Sequence, residues 1–236
     1  MTVCFISHHD CALHEMGVHH PESPARLSAI QDQLLSSGLD LVLQHEYAPL
    51  ATREQLCRVH DAKYIEYVFL KAPDEGQVWL DPDTSMNSHT LSAALRAAGS
   101  VVHGVDLVMS GKSSAVFCSV RPPGHHAERK RAMGFCFFNN IAVGAAHALQ
   151  AHQLKRVAIV DFDVHHGNGT EDIFRETPEV LFCSTFQHPF YPDTGTGIVS
   201  EHIINVPLPA GSNGQVFRDA VQSRWLPELE AFQPEL

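Results

Sequence analysis

Short runs of consecutive apolar residues alternate along the chain with longer stretches whose apolar positions recur every three or four residues. The runs at 2–6, 115–120, 156–162, 180–184 and 203–206 read as strands. An uninterrupted apolar run bounded by polar turns suits a strand buried on both faces. Leu27, Ile30 and Leu34 follow Ser23-Pro24 at helical spacing, with Ser23 as the expected N-cap, Pro24 in the first helical position and Gly38 as the stop. Thr52 and Gln55 resemble a capping box. A helix from about Asp61 carries Tyr64, Ile65 and Val68, and residues 88–109 form a long helix rich in Ala, Leu and Val, closed by Gly111. Helices at 140–150, from about 170, and at 214–232 complete the series. Strands alternating with helices predict one α/β domain with a parallel sheet covered on both faces.

Composition narrows the function classes. The 236 residues are 44% hydrophobic and 18% charged, as a chain with one sizeable core should be. The net charge is −11, and the single basic cluster, Arg129-Lys130-Arg131, is short, which argues against nucleic acid as a direct ligand. No window approaches about 18 consecutive apolar residues, so no membrane span is expected. No signal peptide is visible either. Six scattered Cys with no C-x-x-C pair suit a reducing compartment, and the chain reads as cytoplasmic.

The chemistry lies in the histidines, 17 in all, with doublets at 8–9, 19–20, 125–126 and 165–166. In parallel α/β sheets ligands bind beyond the carboxyl ends of the strands. Two strand ends here open into polar loops, Arg121-Pro122-Pro123-Gly124-His125-His126-Ala127 and Asp161-Phe162-Asp163-Val164-His165-His166-Gly167-Asn168-Gly169. Asp161, Asp163 and His165 alternate, and in extended backbone such residues face one side. Carboxylate and imidazole are donors that Zn²⁺ accepts, and a catalytic zinc takes three of them. The plainer reading is that the two aspartates cap the next helix and the histidines are ordinary loop residues. A base for a metal-activated water is what His125 or His126 would add. Hydrolysis by such a water is the leading reading of the residues alone.

These loops, with Gly134-Phe135-Cys136-Phe137-Phe138-Asn139-Asn140 and Val18-His19-His20-Pro21-Glu22-Ser23-Pro24-Ala25-Arg26-Leu27, resemble the histone deacetylase family along the whole chain, closest to class II and its bacterial deacetylase and acetylpolyamine amidohydrolase relatives. The resemblance implies a three-layer arginase/deacetylase-type α/β fold. It implies that Asp163 and His165 are zinc ligands. His126 is then the general base, His125 a mainly electrostatic partner, and Asp161 and Asn168 the groups behind the two imidazoles. Asp161 also matches a monovalent cation site, usually K⁺. Gly134, Phe135 and Tyr191 match the walls of an acyl-lysine channel, although the family more often has Phe where Tyr191 stands.

Two parts of the family's pattern find no match, the third Asp ligand and the tyrosine that polarises the acyl carbonyl. Residues 1–236 are therefore expected to form the N-terminal two-thirds of a single deacetylase-like domain whose C-terminal strands are missing. The implied function is zinc-dependent removal of acetyl or short acyl groups from acyl-lysine or related amines. The partner is then the acylated substrate, not nucleic acid or membrane, with the oligomeric state open. The alternatives are a truncated, non-catalytic homologue binding acyl-lysine or a partner, and a manganese ureohydrolase, against which Asn168 stands where a carboxylate would help bridge two metals.

Overall fold

The computed structural model describes residues 2–197 and 199–236. The chain runs from β1 (Val3–Ser7) through the single turn α1 (Asp10–Leu13) to α2 (Ala25–Ser37) and β2 (Leu43–Tyr47). Next come α3 (Arg53–Cys57), α4 (Ala62–Lys71) and a hairpin of β3 (Val78–Asp81) and β4 (Thr84–Met86). The central part is α5 (Thr90–Met109), β5 (Ala115–Ser119), α6 (Asn140–Ala151), β6 (Val157–Asp161) and α7 (Asn168–Phe174). It closes with β7 (Val180–Gln187), β8 (Ile203–Leu208), α8 (Gly214–Ala220) and α9 (Leu226–Phe232).

Local chemistry accounts for most boundaries. Thr52 and Gln55 form the reciprocal capping box that starts α3, and the Asp61 and Asn139 side chains cap α4 and α6. Gly38 ends α2 in the left-handed region (φ 75°), where a Cβ would be strained. Ser23 is not the cap of α2. Pro24 takes that place without a side-chain bond, and Ser23 contributes only its carbonyl, to the Arg26 N–H at 3.2 Å. The expected single helix at 214–232 is interrupted by a π turn, Val221–Trp225. Pro227 has no N–H to return to the Ser223 carbonyl and its ring crowds that turn, so the chain widens there.

Parallel strands were expected in one sheet, and the structure arranges them in two, β2-β1-β5 and β6-β7-β8. Alternation along each strand divides its side chains between layers. Cys4 and Ile6 of β1 pack with Ala48 and Leu107 on the α5 side, while Phe5 stacks on Phe117 on the other face, at 5.8 Å between ring centroids. In β7, Val180 and Phe182 join the main core of α4, α5 and α6, whereas Leu181 and Cys183 meet Trp225 beneath α8 and α9. These are the helix layers on either side of the strands. Helix α5 is long and apolar enough to cross a membrane by length and composition, but 56% of that window is buried within the fold, as a core helix is.

The outer edges of β5 and β6 flank one groove, with Cys118 and Val120 on one side and Ile159 and Val160 on the other. The edge of β6 takes two backbone hydrogen bonds from the last residues. The Glu235 N–H donates to the Arg156 carbonyl (2.8 Å), and the Ala158 N–H to that of Leu236 (2.9 Å). All six cysteines are free, and all but Cys57 lie wholly or partly buried.

Candidate active site

The loop leaving β5 is anchored from below. Arg121 is fully buried, and its Nε and one terminal nitrogen hold the Glu22 carboxylate at 2.5 and 2.6 Å while the other donates to the Cys11 carbonyl at 2.7 Å. Two-point contact fixes distance and angle together. It ties the loop preceding α2 to the segment that carries the tandem histidines.

The two imidazoles lie 4.0 Å apart between ring centroids, and each has a different partner. His125 donates from Nδ1 to Asp161 Oδ2 at 2.8 Å, since a carboxylate can only accept. Burial alone would lower the proton affinity of His125. The Asp161 hydrogen bond and charge, with Asp163 adding to them, more than offset this, and the net shift is upward.

His126 meets a neutral amide instead. Its Nδ1 is 2.8 Å from Asn168 Oδ1. Asn168 Nδ2 donates to Glu128 Oε1 at 2.8 Å, which fixes the amide with its oxygen toward the ring. His126 therefore carries its proton on Nδ1 and turns an unprotonated Nε2 away from Asn168. Burial, then the charge of His125, push its pKa down to about 3, so the ring is neutral at pH 7.

Asp163 and His165 follow on the loop after β6, with Asp163 Oδ1 accepting the His165 backbone N–H at 2.8 Å. The expectation that Asp161 would converge with them is corrected here. The chain leaves extended conformation after Asp161, which turns back to His125 and to the Asp163 N–H (3.1 Å). Asp163 and His165 offer a carboxylate and an imidazole to one cavity, a donor set that suits Zn²⁺. They are two donors of the three a catalytic zinc takes. Among the described residues no third Asp, Glu, His or Cys joins them.

His125, His126, Gly134, Phe135, Asp163, His165 and Tyr191 line this one cavity of about 460 Å³, with Asp161 and Asn168 behind the histidines. Phe135 stands edge-on to His20 (4.6 Å), and Tyr191 meets the His126 ring edge-on at 5.1 Å. Burial, and then the rim carboxylates Asp83 and Asp81, push the Tyr191 phenol up, so it stays protonated. Gly134 has φ +56°, and a Cβ there would overlap the His126 imidazole. Glu128, which orients Asn168, escaped the sequence reading. Its signal was its place two residues beyond the His doublet.

The described residues bring other metal-capable groups together. Asp106, His147 and His152 have ligand atoms within 4.8 Å of one another, a spacing that can hold an ion. Here, however, a guanidinium nitrogen of Arg58 donates to His147 Nδ1 (2.7 Å), which leaves the proton on Nε2, where it is given to Asp106 (2.7 Å). A metal on Nε2 would have to displace that proton and reverse the Arg58 contact. At His8-His9-Asp10, the carboxylate is already held by Ser92 and Arg96.

Known proteins resemble this chain in sequence and fold. The sequence profile of the histone deacetylase domain matches residues 20–236. A histone deacetylase-like amidohydrolase of Pseudomonas aeruginosa is 38% identical over 224 residues, covering 92% of this chain and 59% of that protein. The chloroplastic histone deacetylase 14 of Arabidopsis thaliana is 37% identical over 241 residues, covering 92% and 56%. The crystal structure of the HDA15 HD domain superposes with a TM-score of 0.93 at 35% identity, covering 99% of this chain and 69% of that one. The chain thus spans less than two thirds of both curated relatives.

Proposed function

The chain belongs to the histone deacetylase family, and from that premise we propose that its site serves a metal-dependent amidohydrolase removing acetyl or short acyl groups from acyl-lysine or related acylated amines. The observation that carries the reading is the unequal pair of imidazoles. Asp161 raises the proton affinity of one, while burial and the neighbouring His125 keep the other neutral and Asn168 sets its tautomer with a free Nε2.

In this reading Asp163 and His165 would hold Zn²⁺ together with a donor from outside the described residues. When bound, the metal supplies Lewis acidity to an acyl carbonyl and to a water. His126 Nε2 takes the proton of the attacking water and returns it to the leaving amine, the work of a general base that becomes a general acid. His125, 4.0 Å away and with its proton affinity raised by Asp161, stabilises negative charge developing on the acyl oxygen. Phe135 and Tyr191 enclose the aliphatic stem. K⁺ is assigned to Asp161, where a Cβ on Gly167 would fill the space against the carboxylate. We place the enzyme in the cytoplasm, a setting that suits six free cysteines.

The test is acetate release from an acetyl-lysine peptide by zinc-supplied protein, wild type against His126→Ala. A loss of about 10²- to 10⁴-fold in kcat is expected for removal of a general base. Equal turnover in the variant would remove His126 from the role. Peptide binding without turnover in the wild type would make the site a binding module.

A further inference from the structure

Two successive residues of the channel wall lie in the left-handed region, Gly134 at φ +56° and Phe135 at φ +69°. For phenylalanine this conformation persists only where the surroundings over-determine it. Their two N–H groups serve no helix or strand, and both point at the β3–β4 hairpin. The Gly134 N–H donates to Asp83 Oδ1 (3.1 Å) and the Phe135 N–H to Thr84 Oγ1 (2.9 Å). The Thr84 hydroxyl in turn donates to Asp83 Oδ1 (2.7 Å), so one buried hydroxyl closes the network. Arg131 grips the hairpin a second time, through both oxygens of Asp81 at 3.2 and 2.9 Å.

We infer that Thr84 and Asp83 are positioning residues for substrate, holding the Gly134–Phe135 turn so that the Phe135 ring stands as the channel wall opposite Tyr191. The inference rests on the acyl-amine reading of the site. Thr84 does not reach the cavity, so it acts only through Phe135. A wall that touches the substrate stem in ground and transition state alike contributes uniform binding, which appears in KM and not in kcat.

Thr84→Val keeps the volume and removes the hydroxyl, and Thr84→Ser restores it. In the zinc-supplied full chain, Thr84→Val is expected to speed amide hydrogen exchange of Phe135 by about tenfold, the worth of one hydrogen bond. Exchange in β7 should stay unchanged. KM for the acetyl-lysine peptide should rise while kcat stays within about twofold, and Thr84→Ser should restore both. Unchanged Phe135 exchange, or a speed-up shared equally by β7, overturns the assignment, because a merely structural residue would act globally or not at all. Should Thr84→Val fail to fold, Asp83→Ala reads the Gly134 amide in the same way, and unchanged exchange there overturns it too. A wild type without turnover sinks the amidohydrolase reading instead, and the exchange data still decide what the hairpin does.

Discussion

His60 couples the stability of this fold to pH in a way that can be worked from its contacts. It follows α3 and is 2% exposed. Its Nδ1 donates to the Glu128 carbonyl at 3.0 Å, and its Nε2 accepts the Asn139 N–H at 2.9 Å. These two bonds span the segment that carries Glu128, Gly134 and Phe135. A second proton on the ring would leave the Asn139 N–H facing another donor. Burial lowers the folded-state pKa to about 4, against 6.5 for the free side chain. The unfolded chain therefore binds the extra proton more readily. The contribution of His60 is complete above pH 6.5 and is lost as pH falls from there to about 4. Between pH 7.5 and pH 5.0 the loss amounts to about 2 kcal/mol. His60→Gln removes that titration. Urea unfolding of both proteins at the two pH values isolates the term, because the similarly lowered His14 is common to both and cancels. The wild type should lose about 2 kcal/mol more than the variant over that interval. Equal losses, or an NMR titration of the His60 ring centred near 6.5, would refute the reasoning.

Other substitutions test other links. Gly134→Ala combines a left-handed backbone with overlap on His126, and a loss of about 2–4 kcal/mol in thermal unfolding is expected. Glu128→Ala frees the Asn168 amide to turn, so that it selects the His126 tautomer with a protonated Nε2. Steady-state kinetics should then show kcat down by about 10- to 100-fold with KM held, and Glu128→Gln, which keeps an acceptor, should recover most of it. Phe182→Ala empties a fully buried site in the main core and should cost about 3–5 kcal/mol by urea titration.

Where the fold was legible in sequence, a local rule decided the outcome. The Thr52–Gln55 box, Asp61, Gly38 and the long apolar helix needed no tertiary information. Strand β2 escaped because Gln44, His45 and Glu46 are exposed and carry no apolar run. The hairpin escaped because its strands are short and Pro82 stands between them. Division of the strands into two sheets is a matter of pairing, which periodicity within a strand does not encode. The same limit held at the site. The residues at 125–126 and 161–168 were visible as clusters, but the turn of Asp161 to His125 and the reach of Glu128 to Asn168 depend on where the loops go in space.

The π turn between α8 and α9 has a geometric consequence. Phe217, Val221, Trp225 and Leu229 recur every four residues, which overshoots a 3.6-residue turn by about 40° each time. In an unbroken α-helix this row would spiral through about 120° between its ends. Yet Phe217 still meets the Trp225 ring edge-on at 6.1 Å between centroids, and Val221, Trp225, Leu229 and Phe232 pack in one cluster against β7 and β8. The widened turn is thus a phase correction that unwinds the accumulated drift.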